Sequence, residues 1–133
     1  MEQMARQRGY EFAGPVPPEL ARALEQVARY EASAASYRTL ATRHEPASSE
    51  TRVALSRSHA ATAAARQGRA ALRETCRDFV RHLKRVGVAP QQVLIAMKTI
   101  VRDAARRTET SWDAQPLAAE MVQWSIDAYY DTP

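Results

Sequence analysis

Few residues of this sequence belong to the types that perform acid-base or nucleophilic chemistry. The three histidines, His44, His59 and His82, are predicted to lie in a connection, in an Ala-rich stretch and beside a packing stripe, so no common site is evident. The single cysteine, Cys76, falls on an apolar helix stripe, where a free thiol behaves as a small hydrophobe. We therefore expect a protein that is not an enzyme.

Metal and cofactor motifs are missing from the sequence as well. The chain has no pair of cysteines, no two histidines four residues apart and no Glu-x-x-His. The four glycines are well separated and follow no predicted strand, which argues against a phosphate-binding loop. We expect neither a metal nor a cofactor.

The chemistry that the sequence does suggest is anion binding by a row of cations. At 100° per residue, six basic side chains between residues 66 and 84 fall within one sector of a helix. We name them the basic ridge: Arg66, Arg69, Arg73, Arg77, Arg81 and Lys84. The ridge is a solvated face, or acids of the same fold cover it, or it binds an external polyanion, either an acidic protein or a nucleic acid. Asp127 and Asp131 are the expected acids if the fold covers it.

The charge distribution keeps all of these outcomes open. The net charge is +4, and 17 Arg stand against 2 Lys, a bias that we attribute mainly to a GC-rich bacterial genome. Residues 66–107 carry +8, whereas residues 108–133 carry −5. A basic middle and an acidic end can neutralise each other within the fold.

The aromatic C-terminal segment is the second candidate surface. Trp124, Tyr129 and Tyr130 lie beside acidic residues, a combination typical of protein interfaces as well as of cores. Together with the basic ridge, this segment predicts a non-catalytic interaction module: an adaptor, a regulator or an accessory subunit. Its expected partner is another protein or a second copy of the chain.

Residues 79–98 suggest an alternative function, a small DNA-binding regulator. The segment can be aligned with a helix-turn-helix that has Gly87 at its turn. Gln91, Gln92 and Lys98 would then face bases or phosphates. The match is weakened because Leu83 stands where that motif has a small residue.

The elements that position these residues follow from apolar spacings of three and four, which predict four helices. They span about residues 18–43, 50–86, 90–107 and 116–130. The expected core stripes are Leu20, Leu24, Val27, Tyr30, Ala34, Tyr37 and Ala41 in the first helix, Leu72, Cys76, Phe79, Leu83 and Val86 in the second, and Leu117, Met121, Trp124 and Ala128 in the last. Pro18, Pro90 and Pro116 suit first-turn positions, and Gly87 suits a helix stop.

The first half of the second predicted helix is poor in residues that can form a core. Residues 50–71 contain only Val53 and Leu55 as large aliphatic side chains. Such a stretch needs a partner for its stability, and self-association would supply one. Gly68 would permit a break in this helix, but we predict that the helix continues through it.

The sequence thus predicts an all-α protein, a small bundle of about four amphipathic helices with a disordered N-terminal tail. The tail is expected at residues 1–16 and a single helical domain at residues 17–133. One cysteine cannot form an intramolecular disulfide, and no apolar run reaches the roughly 18 residues of a membrane span. We expect a cytoplasmic protein.

Overall fold

The computed structural model of the protein describes residues 16–108 and 112–131, so the predicted tail lies outside the described residues except for Val16. Within these ranges the chain forms four α-helices and no β-strand, which confirms the predicted all-α bundle. They are α1 Pro18–Thr42, α2 Ser49–Arg85, α3 Pro90–Arg107 and α4 Gln115–Tyr130. None of these helices has both the length and the apolar character needed to cross a membrane.

Local sequence explains both ends of α2. The Ser48 hydroxyl accepts a hydrogen bond from the backbone N–H of Thr51 at 3.2 Å, which caps the first turn. At the other end, Gly87 has a φ of 89°, and the N–H of Val88 donates to the carbonyl of Leu83 at 3.0 Å. This is a Schellman motif, and it turns the chain into α3.

The core lies toward one end of the molecule, where all four helices meet. Its largest fully buried side chains include Leu20 and Leu24 of α1, Leu72 and Leu83 of α2, Met97 and Val101 of α3, and Leu117 and Met121 of α4. Helix α4 packs against both α2 and α3. It runs parallel to α2, because Glu120 contacts Arg69 and the later Asp131 contacts Arg81.

Beyond the level of Thr108 and Trp112, α1 and α2 continue as a two-helix hairpin. The Ser58 hydroxyl donates a hydrogen bond to the carbonyl of Ala34 at 3.1 Å, which fixes the antiparallel register. Between residues 28 and 65, every buried residue is Ala, Ser or Thr. We call residues 37–58 the distal hairpin. Its small buried side chains remove little apolar area from water.

Helix α2 continues through Gly68, as the sequence analysis predicts. A Cβ atom at this position would lie 3.0 Å from Cγ2 of Val27 in α1. Glycine therefore gives α1 room to approach α2 closely without interrupting the helix.

In the first two helices, three predicted stripe positions are wrong. Val86 is 55% exposed, because α2 ends at Arg85 and Val88 packs on the core instead. In α1, Tyr30 is exposed and Tyr37 is half-buried. In the C-terminal half of α1 the buried positions are occupied by alanines that pack against α2.

In α4 the position predicted for Trp124 in the core stripe is taken by the fully buried Ser125, whereas Trp124 packs at the margin of the core. The Ser125 hydroxyl lies 3.7 Å from Sγ of Cys76, which leaves no room for an indole between α2 and α4. The same hydroxyl donates to the carbonyl of Met121 at 2.6 Å, so its burial leaves no unpaired polar atom.

Candidate interaction surface

The basic ridge lies along the side of α2 against which α4 packs. Because the two helices run parallel, Glu120 meets Arg69 early in the ridge, and Asp131, the residue after α4, meets Arg77 and Arg81 later in it. The structure therefore brings the basic middle of the chain together with its acidic end. Four of the six ridge residues contact α4 or Asp131, the residue that follows it: Arg69, Arg77, Arg81 and Lys84.

Arg69 is the most connected residue of the ridge. Its guanidinium bonds to Glu31 of α1, with Nε 2.7 Å from Oε2, and also to Glu120 of α4. The second oxygen of Glu31 accepts a hydrogen bond from the indole N–H of Trp112 at 3.0 Å. The side chain of Glu31 is only 20% exposed, so this cluster joins α1, α2, α4 and the segment before α4 in a partly dry setting. The sequence alone did not indicate Glu31, Glu120 or Trp112 as partners of the ridge, because they are distant from it along the chain.

The C-terminal part of the ridge is held by the end of α4. Asp131 lies 3.7 Å from the guanidinium of Arg77 and 3.4 Å from that of Arg81. Lys84 donates to the backbone carbonyl of Tyr129 and lies 5.2 Å from the centroid of its ring. Asp131 thus takes the role expected of it.

Asp127, the other acid expected to cover the ridge, forms no ion pair within the described residues. It accepts a hydrogen bond from the side chain of Gln123 at 2.9 Å. It does line a groove beside the ridge, so its charge still contributes to that surface.

Arg66 and Arg73 form no ion pair with any residue of the described ranges, and both are exposed. Arg73 lies at a groove of about 450 Å³ between α2 and α4, which we call the α2–α4 groove. Its lining residues are Arg73, Arg77, Trp124, Ile126, Asp127, Ala128, Tyr130 and Asp131. Arg66 lies apart from it, in a separate cleft beside Trp112.

The three aromatic residues of the C-terminal segment differ in their roles. Tyr129 is half-buried, and its hydroxyl donates to the carbonyl of Val88 at 2.8 Å. Trp124 is half-buried against the core. Tyr130 is 66% exposed, with its ring edge-on to that of Tyr129 at a centroid distance of 5.2 Å. Tyr130 is therefore the aromatic residue of this segment that is open to a partner.

The residues of the DNA-binding alternative differ in how far they are exposed. Gln91 and Lys98 are exposed, but Gln92 is half-buried, and its buried Oε1 has no hydrogen-bond partner among the described residues. Tyr129 contacts both the basic ridge and the segment before α3, because its backbone carbonyl accepts a hydrogen bond from Lys84 of the ridge and its hydroxyl donates to the carbonyl of Val88, two residues before α3.

The side chains capable of chemistry are dispersed. All three histidines are exposed, on the loop after α1, in the first half of α2 and near its end. Cys76 is buried, with its Sγ 3.9 Å from Sδ of Met97, and burial raises the pKa of this thiol to about 11. In the part of the chain that the structure describes, no three His, Cys, Asp or Glu side chains converge as metal ligands would.

An apolar cleft on the distal hairpin was not predicted from the sequence. On the distal hairpin, Tyr37, Leu40 and Val53 line a cleft of about 300 Å³ with Arg57 at one side. The sequence holds one indirect signal of it, Val53 itself, a large aliphatic residue in a stretch that otherwise contains almost none.

Comparison of the chain with protein-family models, with curated proteins and with solved structures finds no match.

Proposed function

We propose that this protein is a non-catalytic interaction module, an adaptor, regulator or accessory subunit, that binds an acidic segment of a partner protein in the α2–α4 groove. The observation that carries the proposal is the setting of Arg73. Its ridge neighbours Arg69 and Arg77 have an acid within ion-pair distance, Glu120 of α4 and Asp131 just after it, whereas Arg73 has none in the described ranges. Beside it, Tyr130 and Ile126 expose apolar surface.

The α2–α4 groove provides two kinds of contact. The planar guanidinium of Arg73 can hold a carboxylate through two parallel hydrogen bonds. Tyr130 presents a large ring and a hydroxyl group, and tyrosine is among the residues that contribute most to binding at protein interfaces. A partner segment with Asp or Glu next to an aromatic or aliphatic side chain matches both contacts.

The charges around the groove favour a protein over a nucleic acid. Asp127 and Asp131 line the same groove, and their negative charge opposes the many closely spaced phosphates of a nucleic acid more than the single carboxylate that Arg73 can hold. Arg69, Arg77 and Arg81 are already paired with acids of the fold. Phosphates would have to displace those acids, which reduces the gain from releasing counterions of DNA.

Selection of peptides from a random displayed library on the immobilised protein tests the proposal. We expect enriched peptides to combine an acidic residue with an aromatic or aliphatic one. The change Arg73→Glu should weaken their binding at least about tenfold, a loss of about 1.4 kcal/mol, and Tyr130→Ser should weaken it as well. The matched control is Arg66→Glu, which makes the same charge change seven residues earlier on α2 and should leave the affinity unchanged.

Three results would contradict the proposal. The library could yield no binding peptide, or it could yield peptides whose affinity falls equally with Arg66→Glu and Arg73→Glu. The third result is binding to a labelled DNA duplex for which the logarithm of the association constant falls with the logarithm of the salt concentration with a slope of about −4 to −6. That slope would assign the ridge to nucleic acid.

A further inference from the structure

The distal hairpin carries an apolar face that the rest of the described fold leaves uncovered. Leu40 of α1 is 42% exposed and Val53 of α2 is 49% exposed, and both line the same cleft as Tyr37. Single exposed aliphatic residues are common on protein surfaces. Here the exposed Leu40 and Val53 lie next to each other on the distal hairpin, whose buried residues are all small. The hairpin therefore exposes large apolar side chains to solvent and buries little apolar area between its own helices.

Two opposite charges flank this face at matching distances. Glu50 and Arg57 are seven residues apart on α2, so they point within about 20° of the same direction, with Val53 between them. The guanidinium of Arg57 lies over the ring of Tyr37, 5.8 Å from its centroid. Neither Glu50 nor Arg57 forms an ion pair within residues 16–108 and 112–131.

We propose that this face binds a second copy of the chain, with α2 of one protomer antiparallel to α2 of the other across a twofold axis between positions 53 and 54. An isologous interface requires a surface that is its own complement. An acid and a base placed about equally far on either side of an apolar centre meet that requirement. In the antiparallel arrangement, Glu50 of each protomer faces Arg57 of its partner, and the Val53 and Leu40 side chains of both protomers meet at the centre.

The dimer is weak and distinct from the groove that binds the acidic segment. The hairpin face comprises only two to three turns of each helix, so it buries less than the roughly 800 Å² per partner of a standard interface. We expect a dissociation constant above about 10 μM. The α2–α4 groove lies beside the core, toward the other end of α2, and stays open in the dimer.

Sedimentation velocity over a range of about 5 to 500 μM protein tests this inference, because a weak dimer raises the sedimentation coefficient only at the higher concentrations. The wild type should show that rise, and Val53→Asp should abolish it. The control is Leu55→Asp, which places the same charge about 200° around α2 from Val53, and it should leave dimerisation intact. Circular dichroism of each variant verifies that the helices are retained.

Charge exchange separates a twofold pair from any other association. Glu50→Arg and Arg57→Glu should each weaken the dimer at least about threefold through repulsion, whereas the double variant should restore it. A sedimentation coefficient that is independent of concentration up to 500 μM would overturn the inference. So would a double variant that remains monomeric, or a Leu55→Asp variant that dissociates as Val53→Asp does. Arg73→Glu should not alter the dimer, so the two proposals can fail independently.

Discussion

Arg69 holds three helices together through one planar group. Replacing it with methionine keeps the aliphatic stem but leaves the partly buried Glu31 without its cation. We expect the free energy of unfolding to fall by about 1–3 kcal/mol, because a desolvated carboxylate loses its charged partner. Urea denaturation at neutral pH measures the change.

Arg66 provides the matched control for that substitution. It lies three residues earlier on the same ridge and forms no ion pair in the described ranges. Arg66→Met should therefore change stability by less than about 0.5 kcal/mol. Equal losses in the two variants would mean that the cluster around Glu31 does not stabilise the fold.

Cys76 makes stability depend on pH in the alkaline range. Burial raises its pKa from 9.0 to about 11, so above pH 9 the unfolded chain loses the thiol proton while the folded protein keeps it. The unfolded state then binds fewer protons, and stability falls as the pH rises from 9 to 11. Between pH 8 and 10.5 the expected loss from this group is about 2 kcal/mol.

The variant Cys76→Ala isolates this contribution. It leaves a small cavity at every pH, so the quantity to compare is the change in unfolding free energy between pH 8 and pH 10.5. The wild type should lose about 2 kcal/mol more than the variant over this interval. Equal losses in the two proteins would show that the thiol does not cause the loss of stability between pH 8 and pH 10.5.

At the scale of elements, Gly68 sets the distance between α1 and α2. Alanine favours a helix by about 1 kcal/mol over glycine, but its Cβ would lie 3.0 Å from Val27, a fully buried and stiff side chain. We expect Gly68→Ala to leave the protein no more stable than the wild type. In a Val27→Ala background the same change should stabilise it by about 1 kcal/mol.

Thermal or urea unfolding of the four proteins in this cycle measures the coupling between the two positions. Gln67→Gly, at the exposed neighbouring position, measures helix propensity alone and should lower the unfolding free energy by about 1 kcal/mol. If Gly68→Ala were equally stabilising in both backgrounds, the close approach of α1 would not constrain this position.

Local signals in the sequence were sufficient to predict the helices but not how they pack. Proline at three helix starts and glycine at the end of α2 act within a few residues, so they can be read without knowing the fold. The burial of Ser125 in place of Trp124 depends on how closely α2 approaches α4. The spacing of residues within α4 does not reveal the distance between the two helices.

The candidate site shows the same limit. Helix periodicity placed the ridge cations on one side of α2, and the structure pairs Arg69, Arg77 and Arg81 with acids of the C-terminal segment. Which cations are covered depends on the parallel packing of α4, and the partner of Arg69 on α1 is 38 residues away in sequence. That Arg73 lacks an acidic partner in the described ranges while its neighbours have one is therefore a result of how the helices pack, and the sequence of α2 alone does not contain it.

At the scale of the whole molecule, stability should be graded along the long axis of α2. The residues from Leu72 to Leu83 pack on all three other helices, whereas the distal hairpin buries only small side chains between α1 and α2. We expect amide hydrogens near Val53 to exchange by local opening, at least about tenfold faster relative to their intrinsic rates than those near Leu72. Hydrogen exchange followed residue by residue measures this difference.

The variant Leu72→Ala and the protein concentration distinguish local opening from global unfolding. Leu72→Ala should cost about 2–5 kcal/mol of global stability, so it should accelerate exchange in the core while leaving the distal hairpin unchanged. Raising the protein concentration should slow exchange only in the hairpin, because dimerisation covers that face and not the core. Hairpin amides that respond to Leu72→Ala as core amides do would show that the helices unfold as one unit. In that case the hairpin would owe its order to the core rather than to a second copy.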